Sequence, residues 1–135
     1  MNSTYWLDKA ADMLFRSGNV SFYIGLSSTK PNADGTGITE PSGGGYQRVK
    51  IEAFSSPSGG CVSNVGGISF PTSTTEWFPV GNPATHWVIF DGAGSGANML
   101  CSGTLSPSII VSVDTVVQIG ENKIEVTLMD AGDDA

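Results

Sequence analysis

A chain of 135 residues has room for one domain with a core of its own, and not for two ordinary ones. Its 18 glycines and 7 prolines stand beside 39% hydrophobic and only 14% charged residues, a balance that excludes a disordered linker and a helical bundle. The formal charge is −7, with no Lys or Arg between Glu52 and Asn122, which argues against holding nucleic acid or lying on an anionic membrane.

The first periodic segment covers about residues 5–16. Trp6, Ala10, Met13 and Leu14 recur at helical spacing, with Asp8, Lys9 and Asp12 on the other side; Ser3 or Thr4 caps the start and Gly18 ends the helix. From Val20 the period becomes two: Val20, Phe22, Ile24 and Leu26 alternate with Ser21, Tyr23, Gly25 and Ser27, as a strand with one buried face requires. Residues 28–45 are a long run of turn chemistry. A connection of that length in a compact domain is functional or disordered, and Ile38 within it predicts a loop pinned to something.

A second strand is predicted over residues 46–54, with Val49, Ile51 and Ala53 inward and Lys50 and Glu52 outward. Shorter strands follow over 61–65, 68–70 and 76–80. Residues 86–90 and 99–105 flank a glycine loop, 91–98, as the two arms of a hairpin. The last third adds strands over 109–113, 116–119 and 123–128, the last alternating Ile124, Val126 and Leu128 against Lys123, Glu125 and Thr127. Strands at such short, regular intervals predict a mainly β fold, an antiparallel β-sandwich of jelly-roll or Ig-like type with one N-terminal helix. The expected organisation is a single domain over 1–135: the helix, a sandwich over about 20–128, and a solvated acidic tail over 129–135.

No apolar run approaches the roughly 20 residues of a membrane span, and the N-terminus lacks the basic and apolar regions of a secretory signal. The expectation is synthesis and assembly in a cytoplasm, without membrane insertion. Cys61 and Cys101 stand in no paired motif and read as buried free thiols rather than a disulfide framework. Two Cys and one His offer too few ligands for a zinc site, so no metal or other cofactor is expected.

The residues that carry chemistry have structural readings that outweigh the functional ones. His86, the single histidine, begins an apolar strand with no nucleophile elbow in the chain, so a hydrolytic triad is not expected. Two of Glu40, Asp91 and Asp34 could in principle pair as the acid and nucleophile of a glycosidase, but all three lie in glycine-rich turns where carboxylates bond local backbone. The Gly43–Gly45 run precedes a strand rather than a Lys-Ser/Thr and a helix, so it is no phosphate cradle. Arg48 stands out in a chain of so few charges. Either it locks Glu40 or Glu52 in an ion pair or it reaches a neighbouring subunit. Tyr46, Trp77, Phe78 and Trp87 rank as core first, subunit interface second and sugar-stacking platform third.

Three stretches carry a resemblance. They are Tyr23-Ile-Gly-Leu-Ser-Ser-Thr-Lys-Pro31 with Glu40-Pro-Ser-Gly-Gly-Gly-Tyr-Gln-Arg48, then Gly67-Ile-Ser-Phe-Pro71 with Trp77, then His86-Trp-Val-Ile-Phe-Asp91 with Leu100 and Leu105. Over roughly residues 5–128 the chain resembles a family of small tailed-bacteriophage virion proteins described as tail fibre or baseplate-like proteins. The segment from Trp77 to Trp87 is longer and more aromatic than that pattern.

The resemblance implies a non-enzymatic structural component of the virion, in the tail tip, fibre or baseplate, that works by self-assembly and docking to other phage structural proteins. A homo-trimer is expected by analogy with phage appendages. The alternatives are a capsid decoration or cement protein, and a module that binds host-surface glycan. The candidate interface or binding residues are Trp6, Ile38, Glu40, Tyr46, Arg48, Trp77, Phe78 and Trp87.

Overall fold

The computed structural model describes residues 1–79 and 82–128. The predicted acidic tail lies outside the described residues.

Helix α1 (Thr4–Phe15) starts where Ser3, in extended conformation, accepts a hydrogen bond from the Trp6 N–H on its hydroxyl. That cap satisfies one of the helix's orphan donors and contributes about 1 kcal/mol. The face that docks differs from the predicted one. Ala11 is fully buried and Leu7 and Phe15 are half-buried, whereas Trp6, Met13 and Leu14 stay exposed. Asp8, expected on the solvent side, instead accepts the Gly60 N–H at 2.6 Å. The stripe Leu7, Ala11, Phe15 has the same four-residue spacing as Trp6, Ala10 and Leu14, so periodicity supports two faces and packing chooses one.

The largest sheet has the order β2-β1-β5-β6 and is antiparallel throughout, from β1 (Phe22–Ser27), β2 (Val49–Ile51), β5 (Ala84–Phe90) and β6 (Met99–Ile109). The predicted hairpin is the β5–β6 pair, in which Ile89 faces Cys101 and Val88 faces Ser102. Two smaller antiparallel pairs complete the fold: β3 (Cys61–Ser63) with β8 (Glu125–Thr127), and β4 (Ile68–Ser69) with β7 (Gln118–Ile119). The fold is therefore mainly β and antiparallel with one N-terminal helix, as the periodicity predicts.

The core lies between these sheets and under α1. Phe22, Ile24, Leu26, Phe54, Val62, Phe70, Trp77, Val117 and Ile124 form one continuous cluster. Phe15, Phe22 and Phe54 meet with ring centroids 5.1 to 5.3 Å apart, which fastens the end of α1 to β1.

Several predicted strands are shorter than their pattern. Of 46–54 only Val49–Ile51 forms a strand; beyond it Phe54 makes an isolated antiparallel bridge with Asn64 and turns inward while Ala53 is exposed. Residues 76–79 form no strand, yet Trp77 and Phe78 are buried. Residues 110–113 leave the sheet after β6, with Val111 buried.

Where strands are short, buried polar side chains substitute for ladder bonds. Asn64 is fully buried: its amide donates to the Gly66 and Gly120 carbonyls, and its side-chain oxygen accepts the Ile124 N–H. Ser73, also fully buried, donates to the Ser112 carbonyl and accepts the Thr115 N–H, binding the loop before Trp77 to the loop after β6. Among the described residues, every buried side-chain group of this kind has a partner, as a low-dielectric interior demands.

Candidate functional site

The strand period predicts one buried face for β1, but both faces are covered. Ile24 and Leu26 enter the core, and Gly25 and Ser27 are buried under residues of the 28–45 loop and the segment leading into β2. Ser27 pins that loop, since its hydroxyl donates to the Thr29 carbonyl and accepts the Thr39 N–H. The loop thus returns to β1 and delivers Glu40 above Gly25.

Tyr46 and Arg48 converge on Glu40 there. The Tyr46 hydroxyl donates to Glu40 Oε2 at 2.5 Å and accepts the Leu26 N–H at 3.1 Å. Arg48 grips both carboxylate oxygens, Nε to Oε2 at 3.0 Å and Nη2 to Oε1 at 2.6 Å. The two side chains are only 9% and 19% exposed, so this is a nearly buried, bidentate, charge-assisted pair. Burial, reinforced by the Glu40 carboxylate, pushes the Tyr46 phenol well above its ordinary range, and the bond to Glu40 raises the Arg48 guanidinium further.

The remaining guanidinium nitrogen reaches across the sheet. Arg48 Nη1 donates to the carbonyls of Gly92 and Gly94, at 3.1 and 2.8 Å, and its Cζ lies 3.4 Å from the Phe90 ring centroid. Asp91 closes the base of the same hairpin loop, accepting both the backbone and side-chain N–H groups of Asn98. One arginine therefore holds three distant segments, the 28–45 loop, the approach to β2 and the β5–β6 turn, in one arrangement. Of the two roles open to Arg48, the ion pair with Glu40 is the one formed within the chain.

The aromatic residues divide sharply. Trp77 and Phe78 are 5% exposed and Trp87 is 6% exposed. The Trp77 indole donates to the Gly44 carbonyl at 2.9 Å, and Tyr46 meets the Trp77 ring edge to face at 5.2 Å. Gly44, at φ +64°, lies against the indole, and a Cβ there would collide with the Thr75 hydroxyl. The exposed platform of tryptophans that a sugar-stacking surface would need is not present at Trp77 and Trp87, because core burial claims both. Ile38 is half-buried in its loop, and Trp6 is 55% exposed on α1.

The carboxylates weighed as an acid pair are each engaged locally. Glu40 is held by Arg48 and Tyr46. Asp34 accepts from the Thr36 hydroxyl and N–H, and Asp91 from Asn98; both acids are held below the usual carboxylate range by those bonds. The His86 ring shares a 2.8 Å hydrogen bond with the neighbouring Thr85 hydroxyl. Among the described residues, no group of three His, Cys, Asp or Glu side chains could hold a metal ion, and no helix is long and apolar enough to cross a membrane. Cys61 and Cys101 are free and half-buried, and burial pushes the Cys101 thiol up to about 11.

Residues 1–127 match the family described as podophage GP4 fiber I protein gp80. The chain belongs to this family. A comparison with curated proteins found no match. Family membership makes the chain a phage fibre protein and so a virion component. The match covers α1 and, among the described residues, each strand, and it spans Glu40 and Arg48.

Sequence reasoning singled out Glu40, Tyr46 and Arg48 but missed what completes the lock: Gly25, Phe90 and the carbonyls of Gly92 and Gly94. Gly25 carried a signal, since an isolated glycine inside an alternating strand marks a close approach by another group. Asn64 and Ser73 carried none, as nothing local distinguishes them from surface turn residues.

Proposed function

We propose that this chain is a non-enzymatic building block of the tail fibre, which works by assembling as a homo-trimer and docking to other virion proteins. The family match over residues 1–127 carries the reading. Supporting it, the groups best suited to chemistry are consumed in holding the fold: Glu40 by Arg48 and Tyr46, Asp91 by Asn98. A fibre element must transmit force and position without changing shape, and a side-chain lock joining three loops suits that task. Many copies then reinforce contacts that are individually weak.

The test is immunogold labelling of purified particles with an antibody against this chain, together with light scattering of the purified protein. Label on the tail and a solution mass three times that of the chain are expected. Label on the capsid would overturn the tail address in favour of decoration, and particles without label would overturn the virion role.

A further inference from the structure

Helix α1 is apolar on two sides and uses one of them within the chain. Leu7, Ala11 and Phe15 pack inward, while Trp6, Ala10 and Met13 run along the outer side at intervals of four and then three residues, with Trp6 55% and Met13 62% exposed. Beside this stripe Leu14 forms one wall of an apolar groove of about 400 Å³. Phe22, Val126 and Leu128 line it further, and Leu100 and Cys101 of β6 form the opposite wall. No charged side chain lines this groove. Contiguous apolar surface of this kind marks an interaction site, since each large apolar side chain left in water forgoes about 1.5–3 kcal/mol.

We propose that a second copy of this chain seats on this face, the outer stripes of α1 from neighbouring copies packing together about the trimer axis and the groove closing over their flank. The proposal rests on the self-assembly reading above and names its surface. Charge selects the occupant. The whole chain has 13 acidic and 6 basic residues, but residues 1–21 hold two of each, Asp8 and Asp12 with Lys9 and Arg16, so the remainder carries 11 against 4 and the full −7. On this face copies of a chain of net charge −7 meet without net charge repulsion.

Spacing supports the same partner. Intervals of four and three are those of a seam between like helices, in which apolar side chains of one helix enter gaps of the next. Ala10 at the centre lets the helix axes approach closely. Asp12 and Arg16, paired at 2.7 Å along one flank, offer both signs of charge for contacts across the seam. A helix of 12 residues is only about 18 Å long, too short to associate by itself. The Leu14–Leu100 groove supplies the additional apolar surface.

The experiment compares the full chain with Trp6→Glu/Met13→Glu by size exclusion with light scattering, following the fold by circular dichroism. The wild type is expected at three times 14.0 kDa and the double variant at 14.0 kDa with an unchanged spectrum. Val65→Glu, which adds charge at an exposed site elsewhere, should assemble as the wild type does. An independent variant, Ala10→Cys with Cys61→Ser and Cys101→Ser, should form a disulfide-linked pair of chains on mild oxidation, which decides the matter if the double variant does not fold. Assembly unaffected by the glutamates, or no cross-link at position 10, would overturn this surface while leaving self-assembly intact. A monomeric wild type would overturn self-assembly itself, and gold label on the tail would still stand for the fibre role.

Discussion

Gly25 lies directly beneath the Tyr46 hydroxyl: a Cβ at position 25 would come within 2.5 Å of that oxygen and 2.7 Å of Glu40 Oε2. The strand was left without a side chain at the one point where the loop's polar cluster presses onto the sheet. Gly25→Ala must therefore displace the cluster or the strand. We expect a loss of about 2–3 kcal/mol, the range of overpacking in a well-filled interior, read as a lower denaturant midpoint. A midpoint equal to wild type would mean that the loop is not seated on β1.

Removing either member of the Glu40–Arg48 pair strands a nearly buried charge. Glu40→Gln and Arg48→Met should each cost about 2–4 kcal/mol, somewhat below the range for a fully dry pair. The double variant should cost less than their sum by about 1–3 kcal/mol in a double-mutant cycle. Strict additivity would show that the two side chains do not interact in solution.

Tyr46→Phe leaves the Leu26 N–H and one Glu40 oxygen short of a partner, for an expected loss of about 1–2 kcal/mol. The pH dependence has a definite sign. The folded protein keeps the Tyr46 phenol protonated far above its ordinary value of 10.0, so the stability it contributes is complete below about pH 10 and declines as the unfolded phenol ionises above it. Wild type should lose stability more steeply than Tyr46→Phe above that pH. An ultraviolet titration of the folded protein should have the same amplitude in both. A smaller amplitude in the variant would mean that Tyr46 ionises in place.

Asn64 serves three backbone groups at once. Asn64→Leu should cost about 2–4 kcal/mol by leaving the Ile124 N–H and the Gly66 carbonyl unpaired and the Gly120 carbonyl with only its bond from the Lys123 N–H. Asn64→Asp keeps the acceptor but sets an oxygen against two carbonyls, so the introduced acid is held protonated. Its penalty should grow as pH rises from about 4, where the unfolded side chain begins to ionise. Thermal melts of both variants across pH test this, and a penalty for Asn64→Asp that falls with rising pH would contradict the geometry.

The sequence alone determined the class of fold, because periods of 3.6 and 2 are local properties of the chain: α1, β1, the β5–β6 hairpin and β8 all stand near where the pattern predicts them. It also singled out Glu40, Tyr46 and Arg48, since an arginine and a glutamate on either side of the Gly43–Gly45 run are conspicuous in a chain of few charges. Only the tertiary structure decided how those residues are spent. Trp77 and Phe78 are buried without belonging to a strand, because the Gly44 carbonyl and the Tyr46 ring, more than thirty residues away in the chain, give the indole its partners. The buried side of α1 was likewise undecided by its sequence. Its two apolar stripes are nearly equal in spacing, and the choice of Leu7, Ala11 and Phe15 was made by Gly60 and the Phe22–Phe54 pair, contacts that exist only after the sheets have formed.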